Sequence, residues 1–349
     1  MAISRYQRAS DVLLKLCSLY PEAPTNKVYM EHVENFRRRM KELKDQSPVT
    51  GTNSSSQLAA EQTEHFVPIQ KPNVRWNEIA GLRDARMAVE ESVIYPARRP
   101  DLFPLGWPRG LLFFGPPGCG KTLLAAAIAT EINADFFCVD AANVMDKWLG
   151  QSEKNVANLF QDARRASGSG RPAIIFIDEV DSLVGIRGDE VGGEVRTRNQ
   201  FLKEMDSISD KANPSHVYVV GATNKPWALD EAFIRRFQKR IFVPLPNVEA
   251  RTELVSIYSK DLTLSGDVSA DELIRLTDGY SASDIHEILQ SAQNKVVREL
   301  FESQKITERS RPRAICMADI REILRKRRPS VSTEMLRFYD KWYERYKAL

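Results

Sequence analysis

Gly115-Pro116-Pro117-Gly118-Cys119-Gly120-Lys121-Thr122 follows directly on an apolar run, Leu111 to Phe114, and leads directly into a helix-forming run, Leu123 to Ile132. The order predicts a strand, a phosphate loop and a helix. Glycines at 115, 118 and 120 let the backbone wind tightly enough for successive N–H groups to face a phosphate chain. The helix behind them adds the positive end of its dipole. Lys121 is then placed to reach the outer phosphates of ATP, and Thr122 to ligate Mg²⁺. The residues from Gly115 through Leu123 are the expected nucleotide contacts. A glycine turn without a ligand is the plain alternative, and the flanking strand and helix argue against it.

Around this loop the composition is that of an ordinary globular protein. The 349 residues are 42% hydrophobic and 28% charged, and 50 basic against 47 acidic side chains leave a net charge of +3. A chain of this length is expected to form more than one folding unit. Its charge balance gives no reason to expect an obligatory nucleic-acid partner. No apolar run approaches a membrane span, and Met1 to Arg5 lack the apolar stretch of a secretory signal. Its cysteines, Cys17, Cys119, Cys138 and Cys316, have no metal-ligand spacing. Cytoplasmic residence is therefore expected, with Cys17 and Cys138 buried as small apolar groups.

Tyr6, Ala9, Leu13, Leu16 and Tyr20 recur at helical spacing, as do Tyr29, Val33, Phe36, Met40 and Leu43, with Pro21 and Pro24 between. A helical hairpin is expected over residues 1–45, and a polar, Ser-rich tether over 46–73. Beyond it, apolar runs at 111–114, 136–139, 173–177, 217–221 and 241–243 alternate with helical patterns. This predicts an α/β domain over 74–246, a parallel sheet with helices on both faces. A small helical domain without a convincing strand should follow over 247–328, and a last helix over 329–349, capped near Ser332.

The expected strand at 173–177 ends in Asp178-Glu179, and carboxylates at that end of a parallel sheet arrive beside the phosphate loop. Asp178 suits the holding of Mg²⁺ and Glu179 the polarising of an attacking water. A helix cap is the alternative for the pair. The next strand ends at Thr223-Asn224, where Asn224 is either the group that orients the water or a turn residue. Arg235-Arg236, between apolar neighbours, supplies guanidinium charge for a transferring phosphoryl group, in a neighbouring subunit if its own site is out of reach. A solvated basic turn is the other reading.

These motifs in this order resemble an AAA ATPase module, with Trp76 to Leu82 similar to its leading segment. The resemblance implies a P-loop fold with strand order 5-1-4-3-2 and assembly into a ring, usually hexameric. It also implies an adenine pocket lined by Ile79, Ala80, Ala282 and Ser283. Lys147, Trp148 and Leu149 would form a first pore loop that grips a peptide, although Trp148 taken alone also suits a core. Gly188 and Glu190 would lie in a second pore loop.

Lys147 to Glu153, Pro244-Leu245-Pro246 and Arg327 to Val331 narrow the resemblance to the meiotic clade. That clade holds the microtubule severers and the ATPases that disassemble ESCRT-III filaments. The hairpin resembles part of a MIT domain, entered at its second helix. No room exists between Asn294 and Ala318 for the β-domain insertion of the eukaryotic ESCRT-III ATPases, which leaves the archaeal cell-division ATPases as the nearest likeness. The implied function is an ATP-driven motor that pulls ESCRT-III-like subunits, bound by the hairpin, through the pore during membrane scission, touching membrane only indirectly. A severing ATPase acting on a cytoskeletal polymer is the alternative. Less favoured are a nucleic-acid motor, suggested only by Arg321 to Arg328, and a nucleotide-gated scaffold, opposed by Glu179 and Asn224.

Overall fold

Runs that are apolar on both faces are buried when a parallel sheet is covered by helices on each side. In the computed structural model of the chain they form β1 (Gly110–Phe114), β2 (Asp135–Asp140), β3 (Ala173–Asp178), β4 (Val217–Thr223) and β5 (Lys239–Phe242). All pairings are parallel, in the order β2-β3-β4-β1-β5. That is the expected 5-1-4-3-2 order. The structure describes residues 73–140, 152–168, 170–184, 192–209, 216–302 and 310–346. The expected hairpin and tether, and the pore residues Lys147, Trp148, Leu149, Gly188 and Glu190, lie outside them.

Side chains that alternate along the strands divide the core into two layers. Leu112, Phe114, Ile175, Ile177 and Val219 pack with Phe160 of α3 (Ser152–Ser167) and Phe201 of α5 (Gly192–Ser209). On the other face Leu111, Phe113, Ile174 and Phe176 pack with Val89 of α1 (Arg83–Val89) and Leu124 and Ile128 of α2 (Lys121–Glu131). The alanine-rich α2 is helix-favouring and buried on nearly all sides, as befits a helix pressed into the sheet. Two short helices, α4 (Val180–Val184) and α6 (Glu231–Arg236), follow β3 and β4; Asp230 caps α6 by accepting from the Ala232 and Phe233 amides. The register sets Phe114 beside Thr223 and Asp140 beside Asp178, so the functional strand ends share one edge.

Cys138 corrects an expectation, for it is exposed. β2 is an edge strand, and the apolar cluster that covers Phe136 on the same side of the strand does not extend to Cys138.

After Pro246, Asn247 caps α7 (Val248–Ser259) through a 2.9 Å bond from the Ala250 amide. This helix shares a separate core with α8 (Ala270–Leu276), α9 (Ala282–Glu302) and α10 (Met317–Lys326), built on Leu254, Leu273, Ile285, Ile288 and Ile320. Among the described residues there, strand pairing is limited to one bridge, Leu264 to Ile315. Asp319, almost fully buried, is held by Arg313 (2.6 and 2.9 Å) and Lys295 (2.9 Å). The Arg313 guanidinium keeps this carboxyl far below the usual carboxylate range, so a buried charge is offset by paired donors.

The last helix, α11 (Thr333–Tyr346), begins with Ser332 accepting from the Met335 amide at 3.2 Å. Its apolar stripe returns to the first layer of the sheet core, where Tyr339 and Trp342 are buried and Met335 and Tyr346 partly so. The Trp342 ring meets Phe114 edge-on at 4.5 Å. The strand that carries the phosphate loop therefore ends directly over the C-terminal helix.

Candidate active site

The loop between β1 and α2 needs its glycines for different reasons. Gly115 has φ +148, and a Cβ there would lie 2.1 Å from the Val243 carbonyl oxygen at the end of β5. At Gly118, φ +71, a Cβ would meet Ser281 and Ser283 at 2.9 Å, so the start of α9 presses on the loop. Gly120, φ +91, has open space where a side chain would stand. Gly115 and Gly118 permit close packing behind the loop, while Gly120 keeps its front clear.

Lys121 is buried and donates to the carbonyls of Gly115 (2.9 Å) and Pro116 (2.8 Å) within its own loop. Burial pushes its ammonium down to about 8, against the opposing pull of Cys119, Asp178 and Asp181. Cys119, between Gly118 and Gly120, donates weakly to the Pro117 carbonyl at 3.6 Å, and burial pushes its thiol up to about 11. The thiol stays neutral near pH 8, which leaves Lys121 to titrate there.

Thr122 donates its hydroxyl to Asp178 Oδ2 at 2.9 Å, bringing together the two residues expected to hold Mg²⁺. Among the described residues no three His, Cys, Asp or Glu side chains form a metal cluster. A hydroxyl and one carboxylate facing a phosphate loop fit Mg²⁺, which is bound at such sites by few protein groups and completed by phosphate and water oxygens. Next to them Glu179 is exposed and adopts φ 49, a left-handed conformation uncommon for a residue with a side chain. Its amide donates to Asp178 Oδ1 at 3.0 Å, and no described residue donates to its carboxylate. The sharp turn delivers this carboxylate to the open edge of the sheet.

At the end of β4, Asn224 has its Oδ1 buried without a hydrogen-bond partner among the described residues. A buried acceptor left in this way wants a donor, such as a bound water. The segment around it is firmly held. Thr223 donates its hydroxyl to Asp181 Oδ1 at 2.6 Å, and the Lys225 amide donates to Thr223 Oγ1 at 2.9 Å. The phenol of Tyr339 donates to the Asn224 carbonyl at 2.5 Å. Asp181 and Tyr339 were not legible as site residues, because each acts through tertiary contact with a strand end.

Arg235 and Arg236 part company in the structure. Arg236 makes a two-pronged ion pair with Asp206 of α5, both contacts at 2.9 Å, and donates to the Ala232 carbonyl. Arg235 is 78% exposed, and among the described residues its one ion pair is a 3.9 Å contact with Glu231.

A cleft of about 690 Å³ opens beside the loop, a size suited to a small ligand. Ile79, Ala80, Cys119, Gly120, Leu123 and Ala282 help to line it, with Tyr258 and Glu253 on the α7 side. Ser283 is not in the lining; its amide donates to the Gly118 carbonyl at 3.0 Å, tying α9 to the phosphate loop. Tyr258 lacked any motif and escaped the sequence reading.

Residues 111–245 match the model of the ATPase family associated with various cellular activities (AAA). Cell division protein C of Sulfolobus acidocaldarius is 49% identical over 350 aligned residues, covering 100% of this chain and 92% of that protein. The chain belongs to the AAA ATPase family. Human vacuolar protein sorting-associated protein 4A is 44% identical over 72% of this chain, which spans only 57% of that relative's length. A crystal structure of the FIGL-1 AAA domain in complex with ADP superposes with a TM-score of 0.71 at 34% identity, covering 79% of this chain and 92% of that one. This set of relatives fits the meiotic clade of AAA ATPases, and ATP hydrolysis is accordingly the activity of this chain. No helix among the described residues is long and apolar enough to cross a membrane.

The lowered ammonium of Lys121 predicts a pH dependence of nucleotide binding. Phosphate charge favours the protonated lysine, so the complex keeps a proton that the free site releases above about pH 8. Affinity should be level below that pH and fall above it, by up to about tenfold per unit. Titration calorimetry with ADP from about pH 7 to about pH 9 checks this, together with proton uptake read from buffer-dependent enthalpies. In Lys121→Met the dependence should vanish.

Proposed function

We propose that this AAA ATPase uses Mg²⁺-bound ATP to drive a ring, of six copies in the manner of its family, that disassembles ESCRT-III-like filaments in membrane scission and cell division. The observation that carries this reading is the similarity over the whole chain to Cell division protein C. In the reaction, water attacks the γ-phosphorus of ATP and the bond to the β-phosphate oxygen breaks, giving ADP and phosphate. Glu179 takes the water's proton, and Asn224 Oδ1 accepts a hydrogen bond that aims the water in line. Lys121 and the loop amides hold the phosphates, and the adenine lies in the cleft by Ile79, Ala80 and Ala282, beside Ser283. Thr122 and Asp178 would hold Mg²⁺, which neutralises phosphate charge when bound. Arg235, exposed and weakly engaged, serves the site of the neighbouring copy; Arg236, held by Asp206, fixes the direction of α6.

The chain is divided in this reading into a MIT-like hairpin (1–45) that binds filament subunits, a tether (46–73), the α/β domain (74–246), the small helical domain (247–328) and the last helix (329–349). Lys147, Trp148 and Leu149, together with Gly188 and Glu190, would grip the pulled subunit in the central channel. The protein would act in the cytoplasm at the division site. Measuring ATPase rate against protein concentration, with and without the C-terminal peptide of an ESCRT-III-like subunit, tests the reading. Specific activity should rise along both series. A flat response in both would contradict ring assembly and the substrate together.

A further inference from the structure

The loop that carries Asn224 leaves the sheet and is not part of any helix, so something must fix where its side chain stands. Two contacts do so. Asp181, just after β3, holds the Thr223 hydroxyl, and Tyr339 of α11 holds the Asn224 carbonyl itself. Tyr339 is fully buried, with its ring 5.2 Å from Trp227 and 6.1 Å from Phe242. Its phenol therefore has little freedom, and burial keeps it protonated and a donor. The neighbouring Trp342 anchors the same helix against Phe114, on the strand that leads into the phosphate loop.

We propose that Tyr339 is a positioning residue for ATP hydrolysis: its hydroxyl fixes the Asn224 main chain so that the free Oδ1 acceptor stands where the attacking water must be aimed. The inference rests on the reading of Asn224 as the water-orienting group. It assigns the C-terminal helix a part in the chemical step, beyond covering the core. A displacement of the Asn224 side chain of the order of an ångström would spoil in-line attack while leaving the phosphate cradle and the adenine cleft as they are.

Tyr339→Phe in the full chain keeps the ring and its packing and removes only the donor. It should lower kcat by about ten- to a hundredfold, with KM for ATP, ADP affinity and sedimentation of the assembly unchanged. Trp342→Leu, which weakens the packing of the same helix without touching Asn224, should lower the melting temperature and keep kcat at a temperature where it is folded. In an Asn224→Ala background, Tyr339→Phe should have no further effect on kcat. An undiminished kcat in Tyr339→Phe, where Asn224→Ala alone reduces it, would overturn the proposal and leave the reading of Asn224 standing. Equal losses from Tyr339→Phe in both backgrounds, or an equal loss in folded Trp342→Leu, would reduce Tyr339 to a packing residue. If Asn224→Ala has full activity, both the proposal and the reading beneath it fall.

Discussion

Glu179→Gln is expected to bind ATP as the unaltered chain does and to hydrolyse it about 100 to 10,000 times more slowly. The amide keeps the volume and the polar end of the side chain but is no base. Nothing else in the cradle changes, since Glu179 is exposed and the contact made to Asp178 comes from its backbone amide. Lys121, Thr122 and the loop amides still hold the phosphates, so the effect should fall on kcat and leave affinity alone. The left-handed turn at Glu179 belongs to the backbone and survives the substitution. Nucleotide binding by calorimetry and phosphate release on the same preparation provide the two readings. Hydrolysis at the ordinary rate would remove Glu179 from the mechanism.

Arg235→Ala should be at least as damaging, with a loss of about a thousandfold or more, the range of an arginine that neutralises a transferring phosphoryl group. Its exposure and loose pairing mean that little folding stability goes with it, because surface ion pairs are worth little. Melting temperature should therefore stay close to that of the unaltered chain while turnover collapses. Arg236→Ala differs: it strips Asp206 of a two-pronged partner and removes the ion pair between α6 and α5, so stability and activity should fall together. The contrast between adjacent arginines separates a group that acts on a neighbour from one that holds its own helix.

The two arginines also show where sequence reading stops. Arg235 and Arg236 have the same chemistry and the same apolar flanks, and the partner that divides them, Asp206, lies on a different helix 30 residues earlier. The phosphate loop was legible because its requirements are local: glycine at fixed points, a lysine and a hydroxyl at its end. β1, β3 and β4 were legible because strands buried on both faces are continuous apolar runs, and β2 by its run Phe136 to Val139, although Cys138 within it is exposed. β5 begins earlier than its apolar residues suggest, at Lys239, since it is an edge strand and partly exposed. In the sequence Tyr339 is one apolar residue at helical spacing with Met335, Trp342 and Tyr346. The atom it holds is a main-chain carbonyl 115 residues away, and main-chain acceptors leave no mark in a sequence.

Mixing Glu179→Gln and Arg235→Ala chains tests most directly that the working site is shared between neighbours in a ring. Each preparation alone should be inactive. In mixed assemblies some interfaces join the intact Glu179 of one copy to the intact Arg235 of the next, so ATPase activity should return above the sum of the two alone. Differently tagged chains that co-purify, yet show no recovered hydrolysis at any mixing ratio, would contradict a site completed by the neighbouring copy.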